Sequence, residues 1–457
     1  MTTKTIATWA TGLGPHAIPQ TVRQAASRSL YNYIGCAVGG CNHLTVSKVK
    51  DSLSDFFGKP TSTVFGNRES LRTDSQHAAL LNGIASHVHD YDDTHLSTII
   101  HPTGPVASAA LAYAERCESP ITGSDLITAL IIGIETSCKL GLAVWPSHYD
   151  IGWHITSSTG SIGAAVAVAK LMELTENQTA HAIGIAATQV TGLREMFGSD
   201  TKAFHVGRAA QNGLLAAQLA SKGFTSSESA LEANRGWANV VIGSSEHKPQ
   251  LDRFCTLESP DGLGQTWEIG KNSFKPFPCG IVCHPAIDAA IQLHHDFQAR
   301  NVNIEDIQSV DIKVHPLVLE LTSKRTPKDG LEGKFSVFHG AAVGLLFGKA
   351  GPAQYDDALV TSAQVITLRD RVNARIGEDI KPDEAYMTVR LRNGKILDKH
   401  VEHAVGSLEK PMTDSDLSDK FLDQCGLVLR REAAGEASAL AWGLGEADDV
   451  GEILRRL

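Results

Sequence analysis

Long, alanine-rich apolar runs fill the first 265 or so residues, and they constrain the fold more than any other feature. Pro105–Glu115, Asp125–Val144, Gly163–Leu174 and Ala209–Lys222 all outrun an ordinary strand. Helices apolar on most of their faces must bury those faces against one another, so the pattern predicts a helix-on-helix core. Local signals agree. Thr175-Glu176-Asn177-Gln178 reads as a capping box for a helix running through Ala186, because the hydroxyl and the amide satisfy orphan N–H donors. Gly223 follows Lys222, where a helix should stop.

The texture changes after about Trp267. Val310-Asp311-Ile312-Lys313-Val314 alternates as a half-buried strand does. Tyr386–Leu391 and Ile396-Leu397 flank Asn393-Gly394, a strong hairpin signal that predicts a type I′ turn with both central residues at positive φ. Helices are expected at Ala286–Ala299 and Phe338–Gly348, which makes this stretch an α+β unit of ~130 residues. From Asp414 through Arg456 the pattern is helical again, and a tail of ~50 residues is too small for a core of its own. The expected fold is mainly α. Residues 1–266 and 404–457 build one large helical domain, and residues 267–403 form a smaller α+β domain inserted between them.

With 41 basic and 51 acidic side chains the net charge is −10, and no Lys/Arg block is present, so a nucleic-acid partner is not expected. The most apolar stretch, Leu126 to Val144, is interrupted by Glu135 and Lys139, so no membrane span is expected either. Residues 1–14 lack the basic-then-apolar layout of a secretory signal, and the first arginine is Arg23. Eight cysteines in 457 residues are not a disulfide framework. These features predict a soluble cytoplasmic protein with reduced thiols.

Four segments concentrate chemistry. The first, His87 to His95 with His101-Pro102, packs four histidines and three acids ahead of an apolar helix. Asp and His suit divalent metals, yet no recognised ligand spacing such as HExxH occurs. The second is His148-Tyr149-Asp150-Ile151-Gly152-Trp153-His154, followed by Thr156 to Gly160, hydroxyls placed to cap a helix or to help bind an anion. The third, Gly198 to Arg208, puts Lys202 and His205 just before an Ala-rich helix. The fourth, Lys275 to Pro285, contains Cys279, Cys283 and His284, but a lone C-x3-C falls short of a zinc or iron–sulfur site. There is no GxxxxGK[ST] loop, no strand-borne GxGxxG and no GxSxG elbow. No metal and no cofactor are therefore expected. His, Lys, Tyr and Asp remain, which is equipment for proton transfer on an anionic substrate.

On these motifs the chain resembles the MmgE/PrpD family of cis-aconitate decarboxylases, 2-methylcitrate dehydratases and iminodisuccinate epimerases. The resemblance runs through Asp90 to His95, His101-Pro102, Tyr149, Gly152-Trp153-His154, Thr201-Lys202 and Gly207 to Gly213. It continues through Lys275 to Cys279, His284-Pro285, Lys334-Phe335-Ser336, Gly406-Ser407 and Pro411 to Asp414. It implies a homodimer, no required metal, and a site between the helical domain and an α+β lid. By motif it assigns Asp90, His101, Tyr149, His154 and Lys202 to catalysis, and Thr94, Lys275 and His284 to substrate binding. Tyr149 and Lys202 resemble the opposed acid–base pair of the epimerases. Two positions depart from the family pattern. The animal decarboxylases carry a histidine where this chain has Gly280, and the fungal ones a tyrosine where it has Thr94.

The three reactions share one demand, since each builds negative charge on carbon beside a carboxylate and moves a proton there. The expectation is a metal-independent lyase on a small di- or tricarboxylate, passing through a carbanion or enolate. A cis-aconitate decarboxylase-like activity comes first, then a 2-methylcitrate dehydratase-like one, then an epimerase. A helical scaffold without activity is the non-enzyme rival.

Overall fold

The computed structural model describes residues 1–66, 71–243 and 246–457. It is mainly helical, as the apolar runs predict. The helix Gly123–Val144 lies at the centre and packs on Ile155–Leu171, which packs in turn on Asp200–Ser221. Gly123–Val144 is long and apolar enough to cross a membrane, yet 94% of its most apolar window is buried inside the protein. Its two buried charged side chains are accommodated internally. Glu135 accepts from the Ile269 N–H at 2.8 Å, and Lys139 pairs with Glu268 at 2.9 Å.

Capping at Thr175 is as expected, with Thr175 and Gln178 bonded reciprocally ahead of Glu176–Ala187. Gly223 takes φ +81 after the Asp200–Ser221 helix, the left-handed stop that glycine adopts without strain.

Strands are few. β1 (Ser62–Thr63) pairs with β2 (Arg72–Thr73), and β3 (Asp93–His95) pairs antiparallel with β4 (Asn272–Phe274). A four-stranded sheet holds β5 (Ile307–Val314), β6 (Val372–Ile376), β7 (Ala385–Leu391) and β8 (Ile396–Val401) in the order β6-β5-β7-β8. Its register places Val310 opposite Val389, Ile312 opposite Met387 and Val314 opposite Ala385. All six are buried, on the face covered by His284–Ala299 and Val337–Phe347. The β7–β8 turn differs from the type I′ expectation. Gly394 has φ +85, but Asn393 is not among the residues at positive φ, and the loop closes with Leu391 donating to the Lys395 carbonyl at 2.9 Å. Four loop residues need only one left-handed position.

Three hydrophobic clusters organise the interior. One draws only on Phe277 to Ala404. A second joins Ile18–Leu171 side chains to Met412–Leu454 side chains, with the helices Asp414–Cys425 and Arg431–Gly443 packed on Gln20–Gly40. Residues 268–274 side with the helices, since Ile269 and Phe274 belong to this second cluster.

One close approach positions the site. The Ser75–His87 and Asp200–Ser221 helices cross where Gly83 meets Gly207, and a Cβ at Gly207 would stand 2.2 Å from the Leu80 carbonyl oxygen. Backbone cannot give way as a side chain can. Gly207→Ala is expected to cost about 2 kcal/mol of stability, measured by chemical denaturation, because the crossing must open. The same variant should lose activity beyond its loss of folded protein, because Lys202 rides on the displaced helix.

Candidate active site

The site grows from a sharp turn. The Ser75–His87 helix ends at His87, and the chain reverses at Asp90, whose N–H donates to the His87 carbonyl at 2.8 Å with φ +51. Asp tolerates this left-handed backbone better than most residues. The chain then enters β3. Its pairing with β4 sets Asp93 opposite Phe274, so the next residue, Lys275, arrives beside the Asp90 turn.

Two lysines converge on one carboxylate oxygen. Lys275 Nζ lies 2.9 Å from Asp90 Oδ1 and 3.1 Å from the Asp90 carbonyl oxygen. Lys202, in the first turn of its helix, places Nζ 2.8 Å from the same Oδ1. All three side chains are buried. Burial alone would raise the Asp90 carboxyl, but the two ammonium groups over-ride it and hold it well below the usual range. Burial lowers Lys202, and Asp90 opposes that shift. The Lys202 ammonium also lies between the Phe197 and Phe335 rings, 5.4 Å from each centroid.

Histidines form the adjoining wall. His87 Nδ1 donates to Asp92 at 2.8 Å, which leaves Nε2 to accept from Lys202 at 2.7 Å. His101 Nδ1 donates to the Asp93 carbonyl at 2.8 Å, which leaves Nε2 as its basic nitrogen. His154 and His205 share a hydrogen between their Nδ1 atoms at 2.9 Å. The His101 and His154 rings lie 6.4 Å apart, centroid to centroid. Burial pushes His101 down to about 3 and His205 to about 4. The two acids behind them diverge. Burial would raise Asp92, yet His87 and His101 hold it below the carboxylate range, whereas burial and the Asp92 charge push Asp93 up to about 7.

Asp90, His101, Tyr149, His154, Lys202 and Lys275 line one small cavity, together with Gly280, Ile281, Val282 and Phe335. The Arg194 guanidinium stacks 3.9 Å over the Tyr149 ring, and burial pushes the phenol up to about 12. Thr94 and His284 lie elsewhere, on a second, larger chamber. Thr94 reaches the site indirectly, with Oγ1 3.2 Å from His101 Nδ1. His284 starts the helix behind Gly280, packs on the Phe277 ring at 5.3 Å, and leaves Nε2 buried without a partner. Gly280 itself lines the cavity with His101 and His154, whereas His284 lines the second chamber.

The hydroxyls after His154 differ from expectation. They fall inside the Ile155–Leu171 helix and neither cap it nor present an anion site. Thr156 accepts from the His101 N–H at 3.1 Å, Ser157 donates to the Thr191 carbonyl at 2.6 Å, and Ser158 bonds His148 at 2.8 Å. Two lysines escaped assignment from the sequence. Lys334 donates to the Val88 carbonyl at 3.2 Å and Lys420 to the Tyr91 carbonyl at 2.7 Å, and burial lowers each to about 8. Motif membership was the one signal for Lys334. Lys420 had none.

Among the described residues three groups could hold a metal: Asp383, His403 and Glu409; His87, Asp90 and Asp92; and a set of three histidines. His87, His101 and His154 bring ring nitrogens within 4.8 Å of one another. Lys202 already occupies the His87 nitrogen, and a cation there would face two ammonium groups.

Residues 4–250 match the MmgE/PrpD N-terminal domain and residues 277–444 the MmgE/PrpD C-terminal domain, so the chain belongs to the MmgE/PrpD family. It is an enzyme of that family's lyase type. It is 25% identical to the cis-aconitate decarboxylase-like protein oryM of Aspergillus oryzae, over 99% of this chain and 96% of that one. It is also 25% identical to the Mus musculus cis-aconitate decarboxylase, over 98% and 91%. The 2-methylcitrate dehydratase of Salmonella typhimurium is 24% identical over 46% of this chain and 43% of its own.

The buried histidines have a consequence for stability. His101 and His205, with His43 and His339 at about 4 and His148 at about 3, stay neutral in the fold below the pH at which an unfolded chain protonates them. A lowered folded pKa means the unfolded state binds more protons, so stability falls as pH drops from about 6.5 toward 4. Asp93 and Glu135, each raised by burial to about 7, act oppositely in this window, but by two protons against several. The melting temperature should therefore drop steeply between pH 7 and pH 5. Unfolding at pH 5 should take up several protons, read from the dependence of the calorimetric enthalpy on buffer ionisation.

Proposed function

We propose that this protein is a metal-independent lyase that cleaves a small polycarboxylate through a carbanion-like intermediate, with cis-aconitate decarboxylation as the leading reaction. The carrying observation is the pair of buried ammonium groups, Lys202 and Lys275, converging on one cavity with His101 and His154. Near-full-length similarity to decarboxylases, against half-length similarity to dehydratases, supports that order.

In this reading the lysines receive substrate carboxylates, and Asp90 holds both cations in place until the substrate arrives. One carboxylate leaves as CO2. The electron pair of the broken C–C bond passes into the adjoining double bond and its conjugated carboxylate, where the ammonium groups stabilise it. A proton then forms the new C–H bond. His101 supplies it through Nε2, because the bound polyanion raises the imidazole's affinity for a proton. Lys202 is the second candidate donor.

The second reading is a dehydratase, favoured by Gly280, which leaves the cavity without the histidine of the animal decarboxylases. The epimerase reading rests on Tyr149 and Lys202, which line the same cavity. Absence of a metal requirement is also part of the proposal, supported by the ammonium groups crowding the three-histidine group.

EDTA-treated enzyme should turn over cis-aconitate with release of CO2 and a decarboxylated product seen by NMR. Turnover of 2-methylcitrate or iminodisuccinate in its place would select another reading. Lys202→Ala should lower kcat/KM by at least ~10²-fold with the fold retained, since Lys275 still pairs Asp90. A folded variant with near-normal turnover would remove Lys202 from the mechanism.

We also propose that the 267–403 unit acts as a lid, moving from Lys275 onward because 268–274 pack with the helices. Lys275, Gly280 and Phe335 come from this stretch, and the remaining charged groups of the cavity come from the helical part. A polyanion touching both sides favours the closed form by its differential affinity. Small-angle scattering should show compaction on adding a tricarboxylate, and an unchanged curve would argue for a rigid unit.

A further inference from the structure

The reaction proposed above uses the inner cavity and leaves a larger neighbour unexplained. That outer chamber, about 340 Å³, is walled by Leu96, Trp145, Pro285, Leu317, Val405 and Leu408. It shares Ile99, Ile281 and Val282 with the inner cavity, so these three side chains form the partition.

The two spaces differ in charge. Lys202 and Lys275 stand in the inner one, and among the described residues no lysine or arginine lines the outer one. Its ionised groups are Asp383 and Glu409, which lie 2.6 and 3.8 Å from His403 Nδ1. Two carboxylates against one imidazole leave this rim negative or, at most, half compensated. A substrate carboxylate in the outer chamber would face apolar walls and like charge. An uncharged apolar group would suit both.

The partition is held in a costly conformation. Ile99 has φ +59, and a β-branched residue there is a strained outlier. Hydrogen bonds pin the loop around it. The Ile99 N–H donates to the His95 carbonyl at 2.8 Å, and the His95 N–H donates to the Ile100 carbonyl at 2.8 Å. Strain kept by such bonding fixes Ile99 against both spaces at once.

We propose that the natural substrate is an alkyl-substituted di- or tricarboxylate. Its carboxylates rest on Lys202 and Lys275, and an apolar arm of several carbons passes Ile99, Ile281 and Val282 into the outer chamber. This rests on the polycarboxylate reading of the inner cavity and adds the class of substituent.

Binding and turnover test the two ideas separately. Succinate and hexylsuccinate are titrated into the full-length enzyme by calorimetry. Burying each methylene should gain affinity by up to about fourfold, so hexylsuccinate should bind at least ~10-fold tighter than succinate. Val405→Trp, which fills the chamber, and Leu408→Glu, which charges its exposed rim, should each cut that ratio to near one. Turnover is followed on cis-aconitate and on homologues bearing four- to eight-carbon chains, and kcat/KM should rise with chain length. Equal or weaker binding of hexylsuccinate overturns the arm, whatever the enzyme does with cis-aconitate. A preference that survives in both variants, with their folds intact, overturns the chamber as its seat. A chain-length preference in binding without turnover of any carboxylate tested sinks the lyase reading and leaves the arm standing.

Discussion

One carboxylate oxygen, Asp90 Oδ1, carries two buried ammonium groups, and the organisation of the site follows from it. Lys202 comes from a helix of the first half, and Lys275 from the strand end that β3 pairs in place. Take away the carboxylate and two like charges face each other out of water, an arrangement that costs several kcal/mol. Under the proposed function the same oxygen is a rival for the substrate. A carboxylate entering the cavity would share cations that Asp90 already neutralises.

Around that ion triad the wall groups are graded in proton affinity. His101 and His154 are held neutral by burial, Asp92 is held ionised by the histidines it faces, and Asp93 behind it is raised to about 7. Separated affinities within a few ångströms are what a site needs if one group is to give a proton while its neighbour keeps a charge. The aromatic pair Phe197 and Phe335 adds a cation-tolerant but water-poor surface beside Lys202.

Much of this was legible in the residues. Apolar runs too long for strands announced the helices, Thr175 and Gln178 marked a start, and the density of His and Asp between His87 and His101 marked a site at a helix entrance. What failed to show was anything set by tertiary distance. Lys420 lies 329 residues from the Tyr91 carbonyl it bonds, and nothing around it in the chain hints at that contact. His284 follows Gly280 by one helical turn, close enough in sequence to suggest a substitute imidazole, yet the turn carries it to the other side of the partition. The hydroxyls after His154 had the composition of a cap, but the helix begins one residue after that histidine and takes them inside. Asn393-Gly394 gave the hairpin correctly and the turn type wrongly, because a four-residue loop relieves Asn393 of a positive φ.

The second hydrophobic cluster joins side chains from near the start of the chain to others near its end, and this bears on how the protein is made. While the polypeptide is being synthesised, the Gln20–Gly40 helix waits with part of its apolar surface uncovered, because its partners Asp414–Cys425 and Arg431–Gly443 follow it in the chain only after the whole 277–404 stretch. The intervening 277–404 stretch, whose cluster draws on no distant segment, is free to collapse first. Birth order and burial order are thus reversed at the amino-terminal helices. That face stays uncovered through most of synthesis, and apolar surface exposed in this way is prone to aggregation.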